Sequence, residues 1–223
     1  MKIENRTFVV SGGSSGLGLA TVRELLSAQG YVAILDRKTP PSLDEIARDG
    51  SSDRSHLLFV EMNILKVEEV ESAVEKVVSW SKETGAHLGG LINGAGVAEA
   101  EVLINLNGVP HSERLWNRVI GINLNGTFHL TRLLVPHLIH VPPEDTADAE
   151  RGVVVMISST VAVSDYEGLV GQIAYAASKG AIRSMTLPMA RDLARYNIRT
   201  VTLAPGPFTT PMTSQVPFSK FAK

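Results

Sequence analysis

The sequence predicts an α/β fold: a doubly wound parallel sheet in a three-layer αβα arrangement. Three observations carry this expectation. Apolar strand-like runs alternate with helical patterns six times along the 223 residues, without internal repeats, which is the mark of a parallel sheet covered on both faces. The first such run leads directly into a glycine-rich turn and a helix. The second closes on an acid, Asp36, 18 residues after the last glycine of that turn, Gly18.

Thr7 to Val10 read as a buried strand, followed by Ser11-Gly12-Gly13-Ser14-Ser15-Gly16-Leu17-Gly18. A helical pattern then runs through Leu19, Val22, Leu25 and Leu26 until Gly30 stops it, and Tyr31 to Leu35 form the second strand. Glycines let a backbone approach a pyrophosphate closely, and a helix N-terminus offers it free N–H groups. A carboxylate at Asp36 can bond both hydroxyls of an adenosine ribose and repels a 2′-phosphate, which favours NAD over NADP. Arg37 keeps NADP open as the alternative, beside its simpler role as a solvated loop cation.

Pro40, Pro41 and Gly50-Ser51-Ser52 bracket a short helix at Ser42 to Arg48. Leu57 to Glu61 form strand three, and Val67, Val70, Val74, Val77 and Val78 mark one face of a helix ending near Thr84-Gly85. Strand four, Leu91-Ile92, runs into Asn93-Gly94-Ala95-Gly96, a second place where backbone can lie close to a ligand. Val97 to His111 are polar and irregular. Ser112 then caps a helix that runs through Leu115, Val119, Ile122 and on to Leu138. That helix carries Asn123, either a core amide with satisfied hydrogen bonds or a functional group. Pro142 to Arg151 form a surface loop.

Val153 to Ile157 are strand five, with Ser158-Ser159-Thr160 at its end, where an open α/β sheet meets its ligands. A long helix follows, reaching to Tyr196, with Pro188 distorting it. Ile198 to Leu203 make strand six. The long helix carries Tyr175 and Lys179, four residues apart and so on one face. A neighbouring cation lowers a phenol's pKa from its usual value of about 10, so the pair can exchange a proton with an alcohol near neutral pH. The competing explanation is a bland surface pair.

Composition narrows the classes. With 44% hydrophobic and 20% charged residues, the chain reads as one globular domain spanning residues 1–223. A net charge of -2 gives no electrostatic footprint for nucleic acid or an anionic membrane. There is no cysteine, which excludes disulfides and thiolate chemistry, and no His-Glu-x-x-His pattern, so no metal is expected. Met1 to Arg6 carry neither a long basic lead nor an apolar core, making a cytoplasmic location the default, with a mitochondrial one left open.

The glycine turn, Asp36, Asn93-Gly94-Ala95-Gly96, Asn123, the serine pair, Tyr175-x-x-x-Lys179 and Pro205-Gly206 stand in an order that resembles the short-chain dehydrogenase/reductase family over nearly the whole chain. Gly171 to Gly180 and Met185 to Ala194 resemble a narrower group within it, the type 2 3-hydroxyacyl-CoA dehydrogenases. The resemblance implies a Rossmann-type enzyme moving a hydride between NAD and a secondary alcohol or ketone, of 3-hydroxyacyl-CoA (acyl-CoA) or steroid type. An NADP-dependent ketoreductase and a catalytically inactive, NAD-binding or interacting protein are the alternatives. A homodimer or homotetramer is implied as well.

The resemblance also implies roles. Tyr175 is the general acid/base, Lys179 lowers its pKa and bonds the nicotinamide ribose, Asn123 holds a relay water, and Ser159 polarises the substrate carbonyl beside Gln172. Gly12, Ser15, Gly16, Leu17, Gly18, Asp36, Asn63, Ile64, Asn93, Gly94, Phe208 and Thr210 line the NAD site. Asn63 stands where many members carry Asp, and Gly94 replaces a common second Asn. Ser159 lies 16 residues before Tyr175, a few more than the family norm, so Ser158 and Ser164 stay open as alternatives. After Met212 only 11 residues remain, so the family's substrate-covering lid and last strand are expected to be missing, leaving strand six as an edge.

Overall fold

The computed structural model describes residues 2–46, 54–145, 147–163 and 170–214. Six parallel strands form one sheet: β1 (Thr7–Ser11), β2 (Tyr31–Asp36), β3 (Leu57–Glu61), β4 (Leu88–Asn93), β5 (Gly152–Ile157) and β6 (Ile198–Leu203). They stand in the order β3-β2-β1-β4-β5-β6. The helices are α1 (Gly16–Ser27), α2 (Leu43–Ile46), α3 (Val67–Thr84), α4 (Glu113–Ile120), α5 (Thr127–Leu138) and α6 (Ile173–Ala194). The chain works outward from β1 to β3, then returns to β4 on the other side of β1 and works outward again. That reversal opens a crevice beyond the carboxyl ends of β1 and β4. Register brings those ends level, with Ser11 opposite both Leu35 and Asn93, and Asn93 opposite Met156.

Every residue of β1 and β4 is buried, and alternate side chains feed two cores. Val9, Leu35 and Leu91 pack in one core with Val70, Val74, Leu130 and Leu134, whereas Phe8, Val10 and Ile34 pack in the other with Val22, Leu25 and Leu26 of α1. Each such burial contributes about 1.5–3 kcal/mol. β6 differs. Among the described residues it ends the sheet, and its Val201 and Leu203 are 36% and 54% exposed.

Three boundaries depart from the sequence expectation, and a fourth, that of α2, is described only in part. β4 begins at Leu88, because Gly89 and Gly90, poor strand formers, are where neighbours leave no room: a Cβ on Gly90 would lie 2.5 Å from the Val153 carbonyl oxygen. α1 ends through Gln29 (φ 60) in the left-handed region; Gly30 is needed for space, since its Cβ would meet Leu25 O at 2.9 Å. α2 ends at Ile46, and residues 47 and 48 of the expected helix lie outside the described residues. Finally, α4 and α5 are joined by a π-helical segment, Gly121–Gly126, with Asn123 inside it. Ser112 does cap α4, accepting from Leu115 N–H at 3.3 Å.

At the amino-terminal end of the sheet, Arg6 is buried with its charge answered. It donates to the Glu144 carboxylate at 3.0 Å, to Leu88 O at 2.8 Å and to Arg151 O at 2.5 Å.

Candidate active site

The glycine turn after β1 uses its glycines for different reasons. A Cβ on Gly18 would sit 2.2 Å from Gly12 O, and one on Gly12 (φ +69) would sit 2.8 Å from the Ala95 backbone. Both positions are closed by the protein's own main chain. Gly16 (φ +54) meets only the Thr210 side chain at 3.6 Å, so its dihedral demands glycine while the space beside it stays open. Gly94 is also fixed by packing, because a Cβ there would lie 2.7 Å from Ser11 O; the glycine in place of an Asn is a steric requirement of this turn. Ser15 precedes α1 in extended conformation without a side-chain cap, so the first-turn N–H groups receive no bond from it. These unfilled donors and the helix dipole suit an anionic group.

Asp36, at the end of β2, accepts from Ser14 N–H at 3.1 Å with one oxygen and from Lys38 N–H at 3.0 Å with the other. The Ser14 hydroxyl donates to Lys38 O at 2.6 Å. The carboxylate is therefore oriented by backbone on both sides, and each oxygen retains a further lone pair for a ligand hydroxyl.

Turn and carboxylate open onto one cleft of ≈ 360 Å³. Of the residues predicted from sequence, Gly12, Ser15, Gly16, Leu17, Gly18, Asp36, Asn63, Ile64, Gly94, Ser159, Tyr175, Lys179, Phe208 and Thr210 line it. Three are placed elsewhere. Asn93 projects into the helix layer, where its Nδ2 donates to Thr131 Oγ1 at 3.0 Å, because alternation along β4 turns it away from the crevice. Gln172 precedes α6 outside the cleft lining, with its Oε1 buried and unpartnered. Asn123 stands behind the wall, fully buried. Its Oδ1 accepts from Val97 N–H at 2.8 Å, and its Nδ2 donates to Val97 O and to Ser178 Oγ, each at 3.0 Å. Both polar atoms of that amide are bonded within the protein, which leaves Oδ1 one further lone pair.

Thr21, Lys38, Met62 and Val97 also line the cleft and were not anticipated. Lys38 carried a usable signal, two residues beyond Asp36 on the same turn. Thr21 carried none, since its position one helical turn after Leu17 matters only once α1 is placed.

The other end of the cleft is assembled by three consecutive residues at the carboxyl end of β5. Ile157 O accepts from Lys179 Nζ at 2.7 Å. Ser158 Oγ donates to Lys179 O at 2.8 Å. Ser159 Oγ accepts from Val161 N–H at 3.4 Å, and its hydroxyl stands beside the Tyr175 phenol, where it favours the ionised form. Of the two described candidates, Ser159 stands beside the tyrosine despite its long spacing and Ser158 faces helix backbone; Ser164 lies outside the described residues.

The electrostatics correct one expectation. Lys179 does not lower the Tyr175 phenol here. Burial pushes that phenol up, opposed by the Ser159 hydrogen bond, while the Lys179 ammonium lies 5.8 Å from the ring centroid and is directed at Ile157. Burial also pulls Lys179 down to about 8. Both groups pay for desolvation of their charged forms. Among the described residues no carboxylate pairs with Lys179.

The comparisons agree with this geometry. A family model described as short chain dehydrogenase matches residues 6–219. The chain is 38% identical over 216 residues to "3-hydroxyacyl-CoA dehydrogenase type-2" of Drosophila melanogaster, covering 96% of this chain and 80% of that one. It is 30% identical over 217 residues to a 3-oxoacyl-(acyl-carrier-protein) reductase of Thermotoga maritima, covering 97% and 80%. The crystal structure of 3-hydroxyacyl-CoA dehydrogenase type-2 from Mycobacterium avium superposes with a TM-score of 0.77 at 30% identity, over 97% of this chain and 79% of that one. A doubly wound sheet, a glycine turn facing an acid, and a tyrosine–lysine helix held against a serine, matched by model and relatives over nearly its full length, place this chain in the short-chain dehydrogenase/reductase family.

Proposed function

We propose that the protein is an NAD-dependent oxidoreductase acting on a secondary alcohol or its ketone, of the 3-hydroxyacyl-CoA or hydroxysteroid type. The observation that carries this is the β5 end, where three successive residues hold Lys179 Nζ, Lys179 O and the Tyr175 phenol at the mouth of the glycine-turn cleft. A dinucleotide fits the residues present: open space beside Gly16 and uncapped N–H groups of α1 suit its phosphates, and Asp36 suits its adenosine ribose. When bound, the nicotinamide supplies or accepts the hydride.

The chain's own residues do the rest. Ser159 orients the carbonyl or hydroxyl oxygen of the substrate beside the Tyr175 phenol. Tyr175 gives or takes the proton on that oxygen. Lys179 would hold the cofactor's nicotinamide ribose, and its ammonium, 5.8 Å from the Tyr175 ring centroid, would favour the phenolate. Asn123 locks Val97 and α6 in place.

The test is a scan of 3-hydroxyacyl-CoA and hydroxysteroid substrates with NAD, following NADH absorbance. Oxidation of at least one class supports the proposal; inactivity on both, with cofactor bound, contradicts it. NADP has one specific observation in its favour, since Arg37 and Lys38 line the cleft beside Asp36. Comparing dissociation constants for NADH and NADPH decides between them. A carboxylate at Asp36 predicts tighter NADH binding, and Asp36→Ala should narrow the ratio by about tenfold or more. A wild-type preference for NADPH defeats the NAD assignment.

A further inference from the structure

Two buried serines, Ser178 behind the catalytic turn and Ser158 in the cleft lining, bond its two key residues through their backbone. The Ser178 hydroxyl donates to Tyr175 O at 2.7 Å and accepts from Asn123 Nδ2 at 3.0 Å. The Ser158 hydroxyl donates to Lys179 O at 2.8 Å. Ser178 is fully buried and Ser158 nearly so.

A carbonyl inside an α-helix already accepts from the N–H four residues on. A second donor at such a carbonyl is not needed to satisfy the helix, and serine in a helix interior costs helix propensity relative to alanine. Here both extra donors fall on Tyr175 and Lys179. They also tie the turn to different bodies. Ser158 ties it to the end of β5. Ser178 ties it, through Asn123, to Val97 in the loop after β4 and to the π segment. The turn carrying the proton-transfer groups is thus referenced at one carbonyl to the strand that supplies Ser159, and at the other to the loop that lines the cleft at Val97.

We propose that Ser158 and Ser178 are positioning residues for proton transfer, acting by fixing the rotation and height of the Tyr175–Lys179 helix turn relative to β5 and to the loop after β4. Neither touches the reacting atoms. Ser158 orients Lys179 and Ser178 orients Tyr175. Placement errors of about 1 Å at such a site cost turnover heavily while leaving binding contacts remote from it in place. The inference rests on the oxidoreductase function proposed above for the same site.

The test compares Ser158→Ala, Ser178→Ala and the hydroxyl-retaining Ser158→Thr and Ser178→Thr in the full chain. Each alanine variant is expected to lower kcat by about tenfold or more with the NADH dissociation constant and substrate KM within about twofold of wild type. The alanine variants should also move the alkaline limb of the pH–kcat profile, and the threonine variants should recover at least half the lost rate. Asn123→Ala combined with Ser178→Ala should cost less than the product of the two single effects, because the two act through one hydrogen-bond chain.

A lowered melting temperature with wild-type kcat and an unchanged pH profile overturns the proposal and leaves the serines purely structural. Should the alanine variants fail to fold, threonine variants that fold but lack activity also overturn it, since they retain the hydroxyls. If the wild-type chain oxidises no alcohol tested, the oxidoreductase function fails separately. Titration of the Tyr175 ring carbon by 13C NMR then reads positioning directly. The phenol titration should move in Ser178→Ala relative to the wild-type chain, and an unmoved titration overturns the proposal.

Discussion

Two cations are buried at opposite ends of the same sheet, and the protein treats them in opposite ways. Arg6, at the amino-terminal end, is met by the Glu144 carboxylate and two carbonyl oxygens. Lys179, at the carboxyl end, has a single carbonyl among the described residues, Ile157 O. Burial lowers both pKa values, but at Arg6 the charge of Glu144 works against that lowering, whereas at Lys179 burial acts alone. The difference is what a structural charge and a working charge require. A structural charge is compensated until it cannot change. A working charge is left short of partners, so that a ligand can supply the missing one and the proton can move. Stability and function are thereby assigned to different ends of the strands.

The largest test of this contrast is Lys179→Met. Its turnover should fall by about 10²-fold or more, as expected when a group supporting acid–base catalysis is removed. Wild-type turnover in this variant would remove the working cation from the account.

Arg6→Met probes the other end. It removes the cation from a largely buried carboxylate, which keeps Lys2 N–H at 2.9 Å, and from two carbonyls, so urea unfolding should show a loss of roughly 3 kcal/mol. Activity per folded molecule should be retained, and a loss under 1 kcal/mol would mean that Arg6 is as dispensable as a surface ion pair.

Lys179→Met should also do what Arg6→Met cannot, and raise stability at neutral pH by on the order of 1–2 kcal/mol, the relief of desolvation less the bond lost at Ile157 O. The sign follows from linkage. Lys179 titrates at about 8 in the folded chain, below its ordinary value of 10.5. The buried ammonium therefore destabilises the fold below pH 8, its penalty shrinks between 8 and 10.5, and it vanishes above. The advantage of the variant in melting temperature should disappear over that same window; an advantage independent of pH would assign it to packing instead.

The smallest effect is expected from Glu144→Gln, which keeps a hydrogen-bond acceptor for Arg6 and removes only the charge. Its cost should be about 1 kcal/mol by urea unfolding, well below that of Arg6→Met. Equal costs would mean that the charge itself carries the Arg6 site.

The two ends of the cleft also differ in how far the sequence revealed them. The glycine turn was legible because its requirements are backbone requirements. Gly12, Gly16 and Gly18 are fixed by positive dihedrals or by main chain a few ångströms away, and only one residue type meets those demands. Asp36 was legible because register puts a strand end beside that turn. Tyr175 and Lys179 were legible as residues, and their location in the cleft was too. Their electrostatics were not. Spacing of four predicts a tyrosine beside a lysine, but the lysine's rotamer answers to Ile157 O, and burial decides both pKa values. The directions of Asn123 and Asn93 were not legible for a related reason: a polar residue's direction depends on which face of its element is packed, and both asparagines turn into the helix layer. The π segment around Asn123 has no composition of its own and emerges only from packing.

The most direct measurement of the central claim is the rate of NAD reduction by the wild-type chain and by Tyr175→Phe, with NADH affinity measured alongside. Removing the phenol oxygen should cut kcat by about 10²- to 10⁴-fold while cofactor affinity stays within about twofold. Wild-type turnover in Tyr175→Phe would contradict the assignment of Tyr175 as the proton-transfer group and, with it, the account of the cleft built around it.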